Sequence, residues 1–487
     1  MSSENRLDLS EVLIDPSCAM KVPAAFALQR NILPICWIDG DLAVAMSNPS
    51  DVQSIALLRR ALGVPVIAWA ADENAIQAIL RRLYGGMSSL QGDVVREDAV
   101  SMVDYLIRSA FMRHASDIHF DPDREGIRVR FRVDGELDEI MRVPPELQPS
   151  VTSRLKVMAN LKLDERRAPQ DGAFSWDVPK AFSDVAASLD VRLATLPGRY
   201  GERVTLRLLE TGLKNYSLGQ IGLLDDDRAK FEGVLASPQG LTLLTGPTGS
   251  GKSTTLYAAI RYLQELRPLN IITVENPIEY EIPGIFQAEV DIGDKVNFSK
   301  ALRSILRHDP DVIMIGEIRD FESLDTAVKA ALTGHLVLST LHTNSAVNTV
   351  TRLTNMGLER HLSAATLRLS IAQRLVRSLC PYCRRPYVVS AEEAATFGMP
   401  DLEGRTVWRP RGCVHCAGRG MRGRIGLFEF FKPDGEISSA IAAGVPEGEL
   451  VRLSRIHGER SLVEDGIAKC LNGLTTLDEV YRVAGMF

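Results

Sequence analysis

The stretch GLTLLTGPTGSGKSTTLYAAIRYL, residues 240–263, decides how the rest of the chain is read. An apolar run, LTLL, enters GPTGSGKS, which fits the spacing G-x-x-x-x-G-K-[ST], and a helical pattern starts immediately behind it. Strand, glycine loop and helix in that order form the context in which such a loop cradles phosphate. Gly246, Gly249 and Gly251 let backbone N–H groups converge on phosphate oxygens, aided by the positive end of the following helix. Pro247, Thr248, Ser250 and Thr254 complete the nucleotide-binding set. Lys252 is expected to reach the β- and γ-phosphates, and the Ser253 hydroxyl to ligate Mg²⁺. The expected ligands are therefore ATP and Mg²⁺.

Downstream, DPDVIMIGEIRD (309–320) is an apolar strand ending in Gly316-Glu317, placed to bring a carboxylate beside the metal and the attacking water. IITVENPIEYE (271–281) is a third strand with Glu275 and Glu279 at its C-terminal end, where parallel sheets bind ligands. From residue 226 the alternation of helices and strands predicts an α/β architecture with a parallel sheet.

Upstream, residues 1–84 alternate short apolar runs with helical stretches. A hairpin is expected within 32–49 around Asp39-Gly40-Asp41, then a helix in DVQSIALLRRAL behind a Ser50 or Asp51 cap. GGMSSLQGD (85–93) reads as a linker. Residues 94–210 form a second α+β unit, with a helix in AVSMVDYLIRSAFMRHA and a hairpin around Asp134-Gly135. Two further strands are expected in DVRLATLPGRYGERVTLRLLE. A motor domain over 218–375, a four-cysteine segment over 376–425 and a helical tail over 426–487 complete the division.

Bulk composition narrows the classes. A chain of 487 residues suits about three domains, and 45% hydrophobic against 24% charged residues is ordinary for globular protein. The net charge of −6 and 6% aromatics argue against a nucleic-acid translocase with a basic, aromatic-lined strand channel, so no nucleic acid is expected. No apolar run approaches the ~18–20 residues that cross a bilayer. The start, MSSENRLDLSEVLIDPS, is too polar and acidic for a signal peptide, so a cytoplasmic location is expected. Seven cysteines are too few for a disulfide scaffold, but CPYC (380–383) and CVHC (413–416) supply four thiolates. Cys380, Cys383, Cys413 and Cys416 are expected to hold one tetrahedral Zn²⁺ with no open position, a structural role. His415 is not expected as a ligand, and Cys18, Cys36 and Cys470 read as small apolar residues. Residues 361–424 carry eleven Lys/Arg against four Asp/Glu, a basic patch suited to an acidic partner or an anionic membrane.

Taken together, ASDIHFDP (115–122), RAPQDG (167–172), GPTGSGKST (246–254), TVENPIEY (273–280), LRSILRHDPDVIMIGEIRD (302–320), TGHLVLSTLHTN (333–344), AQRLVRSLCPYC (372–383) and GRIGLFE (423–429) resemble the type II secretion and type IV pilus assembly ATPases. The resemblance runs from about residue 20 to the C-terminus. It implies a RecA-like motor domain in which Glu279 polarises the attacking water, Glu317 is the metal-site carboxylate, and His335 and His342 sense the γ-phosphate. It implies that Arg192 and Arg207 of the second domain, with Arg303 and Arg307 of the motor, reach nucleotide phosphates as arginine fingers. Arg128, Arg130 and Arg132 read instead as one solvated hairpin face. Fingers supplied by a neighbouring subunit imply a ring, here a homohexamer. The resemblance further implies peripheral attachment to the inner membrane through platform proteins, bound by the N-terminal domain and the zinc segment. The function implied is pseudopilus assembly in type II secretion, favoured over pilus extension by the compact N-terminal region. Lys252, Glu279 and Glu317 together disfavour a non-enzymatic scaffold. In one departure, Asn276 stands where the family usually has Asp, removing a negative charge beside the site. RLDLSEVL is a blurred form of the family's cyclic-dinucleotide signature, so no such binding is expected.

Overall fold

The computed structural model describes residues 6–15, 18, 21–84, 99–178, 188–209, 216–290 and 298–485. The expected linker at 85–93 lies outside these residues. The contact pattern divides the chain into two units, one of Met1–Leu213, Leu379–Arg385 and Pro410–Gly423, the other of Lys214–Ser378, Pro386–Arg409 and Arg424–Phe487. The segment 376–425, expected as one zinc-bearing piece, is thus shared between the two: the cysteine pairs go with the first unit and the excursion between them with the second.

The first unit opens with strands β1 (Ile32–Ile38), β2 (Asp41–Met46) and β3 (Val66–Ala70). β1 and β2 form an antiparallel hairpin. Its turn takes positive φ at Asp39 (51°) and Gly40 (90°), a pairing that suits Asp-Gly. β2 and β3 are parallel, joined by the helix Val52–Leu62. The cap of that helix is Asp51, whose carboxylate accepts from the Ser54 N–H at 3.1 Å.

A six-stranded sheet follows, built from β4 (Ala115–Asp123), β5 (Gly126–Val133), β6 (Glu136–Val143), β7 (Gln170–Asp177), β8 (Ser188–Gly198) and β9 (Gly201–Leu209), in the order β6-β5-β4-β9-β8-β7. Helices Ala99–Met112 and Gln148–Met158 contribute Met102, Leu106, Val151 and Leu155 to its core. Two of the three arginines of β5, Arg130 and Arg132, are paired rather than simply solvated. Arg130 bonds Asp121 at 2.7 Å and Arg132 approaches Asp117 at 3.8 Å, both carboxylates on neighbouring β4.

The second unit is built on a seven-stranded sheet of β10 (Gly240–Thr245), β11 (Ile271–Glu275), β12 (Phe286–Glu289), β13 (Val312–Ile315), β14 (Leu336–Leu341), β15 (Leu367–Leu379) and, beyond the small sheet of β16 (Arg385–Val388) and β17 (Thr406–Arg409), β18 (Met421–Phe431). The order is β12-β11-β13-β14-β10-β15-β18, and β10 to β15 run parallel wherever they pair. GLTLLT, IITVE, VIMI and LVLSTL are buried along their whole length, which is why they read as unbroken apolar runs. Leu241, Leu243, Ile313 and Val337 face one core, while Leu244, Met314 and Leu338 face another. Four helices, Gly435–Ala443, Glu447–Ile456, Leu462–Leu471 and Leu477–Ala484, end the chain.

Candidate active site

In a parallel sheet all strand C-termini meet at one edge. Here that edge gathers Gly246 after β10, Asn276 after β11, Gly316 after β13 and His342 after β14. Hydrogen bonds between adjacent strand ends fix their relative heights. Gly316 N–H donates to Val274 O at 2.8 Å, Thr340 Oγ1 to Gly316 O at 2.7 Å, and Thr343 N–H to Thr245 Oγ1 at 2.7 Å.

The phosphate loop turns on glycines with φ of 145° at Gly246, 78° at Gly249 and 88° at Gly251. Two of them are needed for space as well as angle. A Cβ at Gly246 would lie 2.5 Å from Gln373 O, and one at Gly251 would lie 2.8 Å from Gln373 Nε2, both on β15. Pro247, Thr248 and Gly249 are exposed, whereas Ser250 is buried. The helix Lys252–Leu266 starts at the loop, with Ser253 exposed and Thr254 half-buried in its first turn. Lys252 Nζ donates to Gly246 O at 2.8 Å and Pro247 O at 3.1 Å. Burial holds its ammonium below the ordinary lysine range, nearby Glu317 acting to raise it and Arg374 to lower it. Exposed backbone donors at a helix N-terminus, a cation and a free hydroxyl suit a triphosphate and its Mg²⁺.

Glu317 accepts from Arg319 at 2.9 Å and sits 3.2 Å from His342 Nε2, so carboxylate and imidazole share one corner beside the lysine. The two glutamates after β11 occupy different environments. Glu275 is buried, and its oxygens are taken by Tyr257 O–H, by Thr273 Oγ1 at 2.7 Å and by Gln287 Nε2 at 3.0 Å. Glu279 is exposed, and its backbone N–H donates to Tyr257 Oη at 3.3 Å. Tyr257 thus links an enclosed carboxylate to the backbone of an open one. Asn276 donates through Nδ2 to Val290 O at 2.6 Å, a bond that an ionised Asp could not make.

The structure does not bring all the expected residues together. His335 precedes β14, and its carbonyl accepts from Gly240 N–H at the start of β10. It therefore lies at the opposite edge from the phosphate loop, about six strand residues or ~20 Å away. Its Nδ1 lies 3.0 Å from Ala330 O, at the end of helix Phe321–Leu332. Arg303 pairs with Glu322, and Arg307 Nη1 donates to Arg303 O at 3.1 Å; both are exposed. Arg192 and Arg207 are cross-strand partners on β8 and β9, both exposed, with Arg207 held by Asp117 at 3.2 Å.

Three residues beside the site were not singled out from the sequence: Gln373, Arg374 and Glu429. Gln373 accepts from Thr255 Oγ1 at 2.9 Å. Buried Arg374 donates to Asn344 O at 3.0 Å, and buried Glu429 accepts the Ala346 N–H at 2.8 Å, so both hold the loop behind His342. Their signal was present in AQRLVR and GRIGLFE, which carried the family resemblance without an assigned role.

In the first unit the four sulfurs of Cys380, Cys383, Cys413 and Cys416 lie within 4.8 Å of one another. Three of the separations are 3.8 Å. A tetrahedron with metal–sulfur bonds of ~2.3 Å has edges of ~3.8 Å, so the residues fit Zn²⁺. Backbone N–H groups of Gly420 (3.1 Å) and Cys413 (3.3 Å) point at the Cys416 sulfur, as donors to a thiolate would.

Comparison with known proteins matches residues 96–482 to the family "Type II/IV secretion system protein" and residues 5–90 to the "MshEN domain". The chain is 39% identical to the type II secretion system protein E of Pseudomonas aeruginosa, over 95% of this chain and 96% of that protein. It is 38% identical to the type IV pilus assembly ATPase PilB of Myxococcus xanthus, over 97% of this chain and 88% of that one. Among solved structures, the ATPase DotB of Legionella pneumophila shares the fold, with a TM-score of 0.57 at 23% identity over 80% of this chain and 96% of that chain.

Proposed function

Since the chain belongs to the type II/IV secretion system protein family, we propose that it is a homohexameric motor whose ATP hydrolysis drives pseudopilus assembly in type II secretion. The chain is an ATPase of that family. The observation that carries the reading is the convergence of Lys252, Glu317 and His342 at the ligand-binding edge of the parallel sheet. Lys252 and the loop N–H groups bind the β- and γ-phosphates. Ser253 and Glu317 hold Mg²⁺, which supplies charge neutralisation across the phosphates. Exposed Glu279 takes the proton of the attacking water, and His342 contacts the γ-phosphate side of the site through its bond to Glu317. We assign His335 no such contact within its own subunit. Arg192, Arg207, Arg303 and Arg307 are assigned as donors that the ring supplies to the transferring phosphoryl group.

Residues 1–84 are assigned to binding the inner-membrane platform, with the motor held peripherally on the cytoplasmic side. No described helix is long and apolar enough to cross a membrane. The four thiolates are assigned one structural Zn²⁺. Pilus extension is the alternative, since the pilus relative is nearly as similar. The near-complete overlap with the secretion relative, 96% of its length against 88%, favours secretion. Lys252→Ala is expected to abolish ATP turnover in the purified protein, and activity within twofold of the parent would sink the site.

A further inference from the structure

The two cysteine pairs are not isolated at the surface of the first unit. Val414, between Cys413 and His415, is 2% exposed and packs in the same core as Leu33, Ile35 and Cys36 of β1. Ala417, one residue beyond the last cysteine, packs against that core as well. Gly418 lies so close that an added Cβ would sit 2.1 Å from the Trp37 carbonyl oxygen, and its φ of 76° suits glycine independently. A second contact gathers on Glu11. Its carboxylate accepts from Tyr382 Oη at 2.7 Å, and its carbonyl accepts from Arg422 Nη1 at 2.8 Å. The His415 Nδ1 lies 3.3 Å from that same carbonyl. Tyr382 and His415 stack at 3.9 Å between ring centres, so each cysteine pair contributes one ring to a single plate under Glu11. On its other side the same segment meets the β5–β6 hairpin. Arg419 pairs with Asp138 at 3.0 Å, and Gly423 N–H donates to Asp134 at 3.2 Å.

Tyr382, Val414, His415 and Ala417 are each within two residues of a cysteine sulfur. Their common orientation is set by whatever holds the four sulfurs together. Two short turns without a metal have little core of their own to fix them. We propose that the four-cysteine centre is a metal-dependent seat for the N-terminal domain. Bound Zn²⁺ keeps Val414 and the Tyr382–His415 plate in place, and residues 6–84 dock on that surface. Loss of the metal releases them. The proposal rests on the zinc assignment above and goes beyond a role confined to the cysteine segment. Because residues 1–84 are also the segment assigned to the platform, metal occupancy would set whether that segment is presented from a fixed position.

Hydrogen exchange on the full-length protein, with metal analysis of each sample, tests this. Stripping zinc with a chelator is expected to speed exchange at residues 7–15 and 32–46 at least tenfold, reversed on adding zinc back. Exchange over helix Lys252–Leu266 should stay within twofold. Val414→Asp places a charge in the N-terminal core and should release the same residues with zinc still bound. If that variant also loses zinc, Glu11→Lys replaces it, touching only the N-terminal side, with at least a threefold rise expected. Zinc present in the native protein but removed without faster exchange overturns the seat and leaves the zinc assignment standing. Protein prepared without chelator that contains no zinc overturns both.

Discussion

Glu275 and Glu279 are chemically identical and four positions apart, yet their surroundings differ. Glu275 is enclosed by three donors, so its charge is already spoken for. Glu279 faces outward from a backbone position fixed by Tyr257. Glu279→Gln is expected to retain nucleotide binding while lowering turnover by about 10²–10⁴, the range of a general base. Glu275→Gln should lower it less than about tenfold, through the weakened Tyr257 contact. The reverse ranking in steady-state kinetics would exchange their roles. Sequence alone located both glutamates but not the difference, because enclosure of Glu275 depends on Tyr257 and Gln287, which lie on other elements. His335 shows the opposite case. It stands immediately before LVLSTL, and the N-terminal end of a parallel strand is the edge away from ligand. Its distance from the phosphate loop is therefore legible from its place before the strand.

At the scale of elements, the strands of the motor sheet were readable as apolar runs, but their order was not. Each run is buried on both faces, so nothing in its pattern tells which neighbour it takes. The strands β4 and β7 are not legible from the pattern either. The first appeared only as the family marker ASDIHFDP, and GAFSW within the second mixes small and aromatic residues. The last helix, Leu477–Ala484, is held to β15 by a buried carboxylate. Glu479 accepts from Arg377 Nη2 at 2.7 Å, from Arg377 N–H at 3.0 Å and from Arg482 at 2.8 Å. Burial raises its pKa, but these donors outweigh burial and bring it down to about 2, from an ordinary 4.5. A depressed folded-state pKa adds stability that is complete above the unfolded value and is lost as pH falls towards 2. That contribution is on the order of 3 kcal/mol. Glu479→Gln should therefore lower the acid sensitivity of this helix while destabilising it at neutral pH. Exchange rates over residues 477–484, followed from pH 6 to pH 3, would check both signs.

At the scale of the whole molecule, two of the four assigned arginines belong to a different unit of the chain from the phosphate grip: Arg192 and Arg207 lie in the first, whereas Arg303, Arg307, Lys252 and Glu317 lie in the second. Developing charge on a transferring phosphoryl group needs more donors than Lys252 alone. Specific ATPase activity is therefore expected to rise with protein concentration as subunits associate, and to rise further on forced hexamerisation. Arg207→Ala should reduce turnover even in the forced hexamer, without loss of fold. A monomer that already matches the hexamer's specific activity would refute the assembly-completed site. The division into two units was itself only partly visible in the sequence. Local patterns give elements, whereas the partnership of Val414 with β1 spans most of the chain and leaves no periodic trace.

That partnership also bears on how the chain is made. A ribosome releases residue 84 long before it adds Val414, and at ~5–20 residues per second the interval is roughly 15–70 s. For that time the nascent N-terminal domain carries an uncovered corner where β1 later meets the cysteine turn. Translation speed and chaperone supply thus act on this corner before the cysteine segment that covers it has been synthesised.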